Sequence, residues 1–328
     1  MNYSEKLRRL QERQNPQYGQ SLEKCFASMD ESTEKEIDTA SEYVKRAMAE
    51  LSERSTKISY EEGEGVKSQL IKELPNYSFF NPDFEYQGSV PCNTHIKYHS
   101  DIDLLVIIDK FVTVENKNRI KKRYLGNPKE DMIDLRAACI KILNETYSVA
   151  DVEKNSKSIT ISGGSLKRKI DVVPSNWYNS ENWYIYKKDY YRGVQIFDNK
   201  TKKRITNFPF LNIRRIGKKD YKTHNNYRPL VRLTKNLKED SDNKIDISSY
   251  DIQALFYNMP DKLYFSDTAT LLKNTICYLH ELINDSYLYQ SLTVPDETRK
   301  ISDKVNITEI DKLLHEFYDL SSRLGIIK

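Results

Sequence analysis

The stretch "DIDLLVII" (Asp101 to Ile108) constrains the fold more than any other. After its first residues it is apolar at odd and even positions alike, so a strand here buries both faces and needs cover on each side. It therefore predicts the centre of a sheet with other layers packed on it. The run nevertheless opens with two carboxylates, Asp101 and Asp103, and burying an unpaired charge is costly. Side chains two apart on a strand share a face, so these acids point the same way and need a partner.

The flanking segments supply the rest of the architecture. Ile37, Ala40, Tyr43, Val44, Ala47, Met48 and Leu51 recur at helical spacing and predict a long amphipathic helix over Thr33 to Ser52. "EEGEGVKS" (Glu61 to Ser68) reads as a break before another short helix. "DMIDLRAACIKILNETY" (Asp131 to Tyr147) reads as a helix. "KSITI", the turn "SGGS" and "KRKIDVV" (Lys157 to Val173) read as a hairpin. "WYIYKKDYYRGVQIFDNKTKKRITNFPF" reads as strands or extended loops, its aromatics as strand packing. From about Asn225 to Leu324 the pattern is helical again. The order of helix, mixed sheet and helices predicts an α+β chain, a mixed-sheet lobe plus a C-terminal helical lobe, with the active site in the cleft between them. The expected division is 1–224 for the sheet core with its N-terminal helices and 225–328 for the helical lobe.

Composition narrows the function classes. In 328 residues no apolar run approaches the ~18 expected of a membrane span, and the charged start "MNYSEKLRRLQERQ" has no signal-peptide core. The four cysteines, Cys25, Cys92, Cys139 and Cys277, form no CxxC pair and predict reduced thiols of a cytoplasmic protein, not a zinc site. The net charge of +4 is mild, so no long nucleic acid partner is required. The basic residues are clustered, however, in "NKNRIKKR" (Asn116 to Arg123), "SLKRK" (Ser165 to Lys169), "NKTKKR" (Asn199 to Arg204) and "RRIGKKD" (Arg214 to Asp220); each reads as a solvated loop or turn, and together they also read as a field that attracts phosphates.

A third acid, Asp171 in "KRKIDVVP", lies in a second apolar strand. Three carboxylates converging without a cation would repel one another and raise their pKa values. With two magnesium ions, or manganese in their place, they make a phosphoryl-transfer site. Upstream, Gly88 allows close backbone approach to a phosphate, and the Ser89 hydroxyl and nearby N–H groups can donate to its oxygens. Nothing in the motif loop makes His95 or His99 a ligand, and both are expected at the surface.

"GS" followed by "SDIDLLVI" and a later "KIDVVP" resembles the DNA polymerase β-like nucleotidyltransferases. "LVRLTKNLKEDSDNKIDISSYDIQALFY" (Leu230 to Tyr257) is similar to the matching segment of cyclic GMP–AMP synthase and the bacterial cGAS/DncV-like enzymes (CD-NTases). The resemblance spans about Phe84 to Tyr257. It implies metal ligation by Asp101, Asp103 and Asp171, donor phosphates held by Gly88, Ser89, Lys235 and Ser249, and a base stacked on Tyr250. The residues alone also allow Ser249 to act as the N-cap of the helix that begins "SSYDIQ". Asn93-Thr94 replaces the family's Gly-Thr, and asparagine tolerates the left-handed angles such a turn needs. No His/Cys cluster matches the animal enzyme's zinc insertion.

The implied function is synthesis of a cyclic di- or trinucleotide second messenger from NTPs, with pyrophosphate release, in antiphage signalling through a separate effector protein. Two alternatives stay open at this point: nucleotide transfer to RNA, a protein or a small molecule, and a catalytically inactive nucleotide-sensing module.

Overall fold

The computed structural model describes residues 2–14, 33–77, 80–97, 100–264 and 267–327. Cys25 and His99 lie outside the described residues. In chain order the helices are α1 (Tyr3–Gln14), α2 (Thr33–Met48), α3 (Glu53–Glu73), α4 (Pro128–Thr146), α5 (Glu181–Tyr186), α6 (Pro209–Lys222), α7 (Tyr227–Asp240), α8 (Ser249–Asn258), α9 (Thr268–Asn284), α10 (Ser286–Ser291) and α11 (Ile307–Arg323). The strands are β1 (Asp83–Gln87), β2 (Ile102–Val114), β3 (Asp151–Lys154), β4 (Ile159–Ser162), β5 (Ile170–Asn179), β6 (Arg192–Phe197) and β7 (Arg204–Asn207). The chain forms two compact units, one of residues 52–92 and 99–214, the other of residues 1–51, 93–98 and 215–328.

In the sheet unit the strand order is β1-β2-β5-β4-β3, with β6 and β7 continuing from the far half of β5. β2 is an interior strand covered on both faces, as its two apolar faces require, and lies next to the edge strand β1; it runs antiparallel to β1 and parallel to β5. One face carries Ile102, Leu104, Val106 and Ile108 of β2 with Ile170 and Val172 of β5, packed under Val66 and Leu70 of α3 and Leu135, Cys139 and Ile142 of α4. The other face carries Leu105, Ile107, Val173, Val194 and Ile196, with Trp177 and Phe210 against them. β4 and β5 form the hairpin that "SGGS" predicts, and Gly163 and Gly164 take the positive φ of its turn.

Two local readings are corrected. Glu61 to Ser68 does not break a helix but lies inside the 21-residue α3. A Cβ on Gly63 would stand 3.0 Å from the Tyr86 ring of β1, so glycine here is a packing residue that lets strand and helix approach. The aromatic segment is not extended throughout either. Ser180 caps α5 by accepting the Trp183 N–H at 3.1 Å, and strand structure resumes only at Arg192. Helix α6, rich in basic residues, was not foreseen at all.

The helical unit includes α1 and α2, so the division differs from the expected boundary at 224. Asp240, fully buried at the end of α7, collects the Arg13 guanidinium of α1 at 2.7 and 2.9 Å and the Tyr43 hydroxyl of α2 at 2.8 Å. Removing one partner of a buried pair of this kind costs about 3–5 kcal/mol, because it leaves the other charge uncompensated. Cys92 and Cys139 are buried and Cys277 is exposed, and none of the three is in a disulfide. Among the described residues, no helix is long and apolar enough to cross a membrane.

Candidate active site

The parallel register of β2 and β5 makes Asp103 the direct partner of Asp171, so the two carboxylates project side by side from one face of the sheet. That is the face of Leu105, Ile107 and Val173, and the acids stand at its end. On the far side of β5, Thr160 is the register partner of Asp171, and its hydroxyl donates to the Asp171 carboxylate. Asn155 Nδ2 in turn donates to Thr160 Oγ1 at 2.8 Å. Asp101 precedes the first residue of β2 and is half exposed, with Lys169 Nζ 3.7 Å from its carboxylate.

The electrostatics of the site follow from this crowding. The Asp103 carboxyl is pushed up to about 7, first by burial, then by the neighbouring Asp171 and Asp101 charges, while the Lys169 ammonium pulls it back. Thr160 and Lys169 were not singled out from sequence. Lys169 was legible in principle: it lies two residues before Asp171 and so shares its face.

Gly88 follows β1 directly, at φ +89°. A Cβ there would fall 2.1 Å from Asp103 Oδ2, so the identity of residue 88 is dictated by the acid beside it. Gly88→Ala should therefore displace the Asp103 carboxylate. We expect a stability loss of about 1–3 kcal/mol from the strained backbone and a fall in turnover of more than about tenfold, read by thermal unfolding and a turnover assay. Unchanged turnover would show that the cradle does not matter.

The donor set suits a hard cation: the three carboxylates are oxygen ligands, and the Asp103 carboxyl is raised by burial first and then by the two neighbouring negative charges. Among the described residues no three Asp, Glu, His or Cys side chains form a ready-made metal cage. Magnesium does not demand one, since it is commonly held by one or two carboxylates together with substrate phosphates.

In the helical unit, Lys235 of α7 is 5% exposed and donates to the Thr94 carbonyl at 2.6 Å. Thr94 Oγ1 accepts from Gln253 of α8, also at 2.6 Å, and the carbonyl of Asn93 accepts from Arg232 at 2.7 Å. Asn93 has φ +54°, the left-handed turn its identity suggested. The N-cap of α8 is Ser248, whose Oγ accepts the Asp251 N–H at 3.1 Å. Ser249 is thus not the cap; it is the first helical residue and is exposed. Tyr250 follows it, partly buried. His95, expected at the surface, is buried.

Residues 214–321 match the model of the cGAS/DncV-like nucleotidyltransferase C-terminal helical domain. The chain is 37% identical over 283 residues to a cyclic dinucleotide synthase CdnE of Yersinia aleksiciae, covering 81% of this chain and 72% of the relative. It is 34% identical over 337 residues to a c-di-GMP synthase of Capnocytophaga granulosa, covering 95% and 94%. The solved structure of the STING-associated CdnE c-di-GMP synthase from Capnocytophaga granulosa superposes with a TM-score of 0.78 at 33% identity over 99% of each chain.

Proposed function

We propose that this chain, which belongs to the cGAS/DncV-like nucleotidyltransferase family, is a synthase that joins two NTPs into a cyclic dinucleotide. The observation that carries the reading is the register pair Asp103–Asp171 with Gly88 closed against it. Relatives named as c-di-GMP synthases cover nearly the whole chain, which favours GTP as both donor and acceptor. Divalent magnesium, or manganese, would neutralise charge at the reacting phosphate and lower the pKa of the attacking hydroxyl.

The chain's own residues do the positioning. Asp101 and Asp103 would hold the cations together with the donor phosphates. Asp171, oriented by Thr160, faces the attacking sugar hydroxyl and takes up its proton. Gly88 and Ser89 orient the β- and γ-phosphates, Lys235 and Ser249 hold triphosphate oxygens, and Tyr250 stacks on a base. The hydroxyl oxygen attacks the α-phosphorus in line, the bond to the bridging oxygen breaks, and pyrophosphate leaves. A second such step closes the ring. The product would serve as a second messenger in antiphage signalling, received by a STING-like effector.

The test is incubation with GTP alone, with ATP alone and with all four NTPs, each with magnesium, followed by phosphatase treatment and mass spectrometry. A phosphatase-resistant cyclic dinucleotide is expected, and GTP alone should suffice. Label that accumulates only when an acceptor RNA or protein is added would replace cyclisation with transfer. Absence of pyrophosphate release with every NTP would point to a binding module.

A further inference from the structure

We infer that Asp296 and Arg299 are positioning residues that hold the Tyr250 ring ready for a nucleotide base, a role that rests on the stacking function proposed above. Both sit on a hairpin of the helical unit. Its ends are joined by an antiparallel bridge between Thr293 and Lys300. Val294 N–H donates to the Arg299 carbonyl at 3.1 Å, and Ile301 N–H to the Leu292 carbonyl at 3.0 Å. The hairpin is pinned from outside at two points. Asn258 Nδ2 of α8 donates to the Thr293 carbonyl at 2.7 Å, while Arg215 of α6 donates to the Pro295 carbonyl and pairs with Glu297 at 2.8 Å.

Two contacts from this rigid hairpin reach Tyr250. The Asp296 carboxylate, itself nearly buried, stands beside the Tyr250 hydroxyl, whose pKa it raises further after burial has done so, and is held by Thr298 Oγ1 at 2.8 Å. The Arg299 guanidinium lies over the Tyr250 ring, 5.6 Å from its centroid. Arg299 is fixed in turn by the Asp251 carboxylate, which also accepts the Ser248 hydroxyl at 2.7 Å. The residue that caps α8 therefore braces the cation behind the ring. Tyr250, partly exposed, is thus approached at its hydroxyl and on one face of its ring.

The arrangement is costly unless the ring's position matters. Two carboxylates and a guanidinium are largely withdrawn from water around one tyrosine, where a phenylalanine against an apolar loop would fill the same space without that desolvation. A ring ordered on folding does not have to be ordered on binding. Releasing it should weaken stacking by about 3–10-fold, the expected cost of immobilising one side chain. Arg299 also draws on the ring's π face, so its loss frees the ring to turn.

The experiment is titration with 2-aminopurine riboside triphosphate, whose fluorescence is quenched on stacking, alongside KM and kcat for GTP and thermal unfolding. Tyr250→Phe, Asp296→Ala and Arg299→Met are each expected to weaken quenching by about 3–10-fold and to raise KM with kcat nearly kept. Asp296→Asn, which retains an acceptor for the hydroxyl, should restore most of the binding. If Tyr250→Phe, the mildest change, quenches like the wild type while Tyr250→Ala does not, the platform stands and the lock is wrong. If Tyr250→Ala also quenches like the wild type, Tyr250 is not the stacking residue and the reading beneath the proposal falls. Lower melting temperatures with unchanged quenching would make the hairpin a structural brace only.

Discussion

Asp103→Asn is expected to give a folded protein whose turnover has fallen by on the order of a thousandfold or more. The amide keeps the shape of the carboxylate, and its strand partners Gln87 and Asp171 are joined to it by backbone, so the register does not depend on the charge. What is lost is a charged cation ligand at the reacting phosphate. Metal stabilisation of transition-state charge is worth several kcal/mol, and each 1.36 kcal/mol is tenfold in rate. Circular dichroism should match the wild type, while pyrophosphate release with GTP and magnesium should be close to background. Turnover within tenfold of the wild type would remove Asp103 from the site.

Strand periodicity made most of the sheet unit legible. A run apolar at odd and even positions needs cover on both faces, and β2 has it as an interior strand, although β5 and not β2 holds the sheet centre. The same period of two places Asp103 and Asp171 on one face once their strands pair. The pairing itself was not legible, because register depends on the partner strand and not on the local pattern. Thr160 illustrates the gap: its bond to Asp171 exists only through the β4–β5 register.

The errors share a physical origin. Gly63 looked like a helix breaker because glycine carries an intrinsic cost of about 1 kcal/mol, but the approach of Tyr86 requires a residue without a side chain there. Ser248 and Ser249 are equivalent on paper, and only the first helical turn decides which hydroxyl accepts the Asp251 N–H. Residues 1–51 were assigned to the sheet by proximity in sequence. The buried Asp240 charge, which draws Arg13 and Tyr43 to α7, overrides that proximity.

Stability without metal should fall as pH rises, and Asp103 should be the main cause. An unfolded aspartate titrates at about 3.9, whereas the folded carboxyl is pushed up to about 7 by burial and by Asp171 and Asp101. Between those values the folded state binds more protons than the unfolded one, so each step up in pH costs stability. The penalty is absent below about pH 4 and complete above about pH 7, with a ceiling of about 4 kcal/mol at 1.36 kcal/mol per pKa unit. Asp103→Asn carries no charge and escapes it. In EDTA at pH 8 the variant should melt several degrees above the wild type, and at pH 4 the two should converge. Magnesium with a non-hydrolysable GTP should reverse the order at pH 8, because cations stabilise only the protein that keeps the charge to bind them. Thermal unfolding across pH 4–8, with EDTA or with magnesium and nucleotide, measures both effects. Parallel pH profiles for the two proteins in EDTA would mean that the crowded carboxylates carry no strain for a cation to relieve.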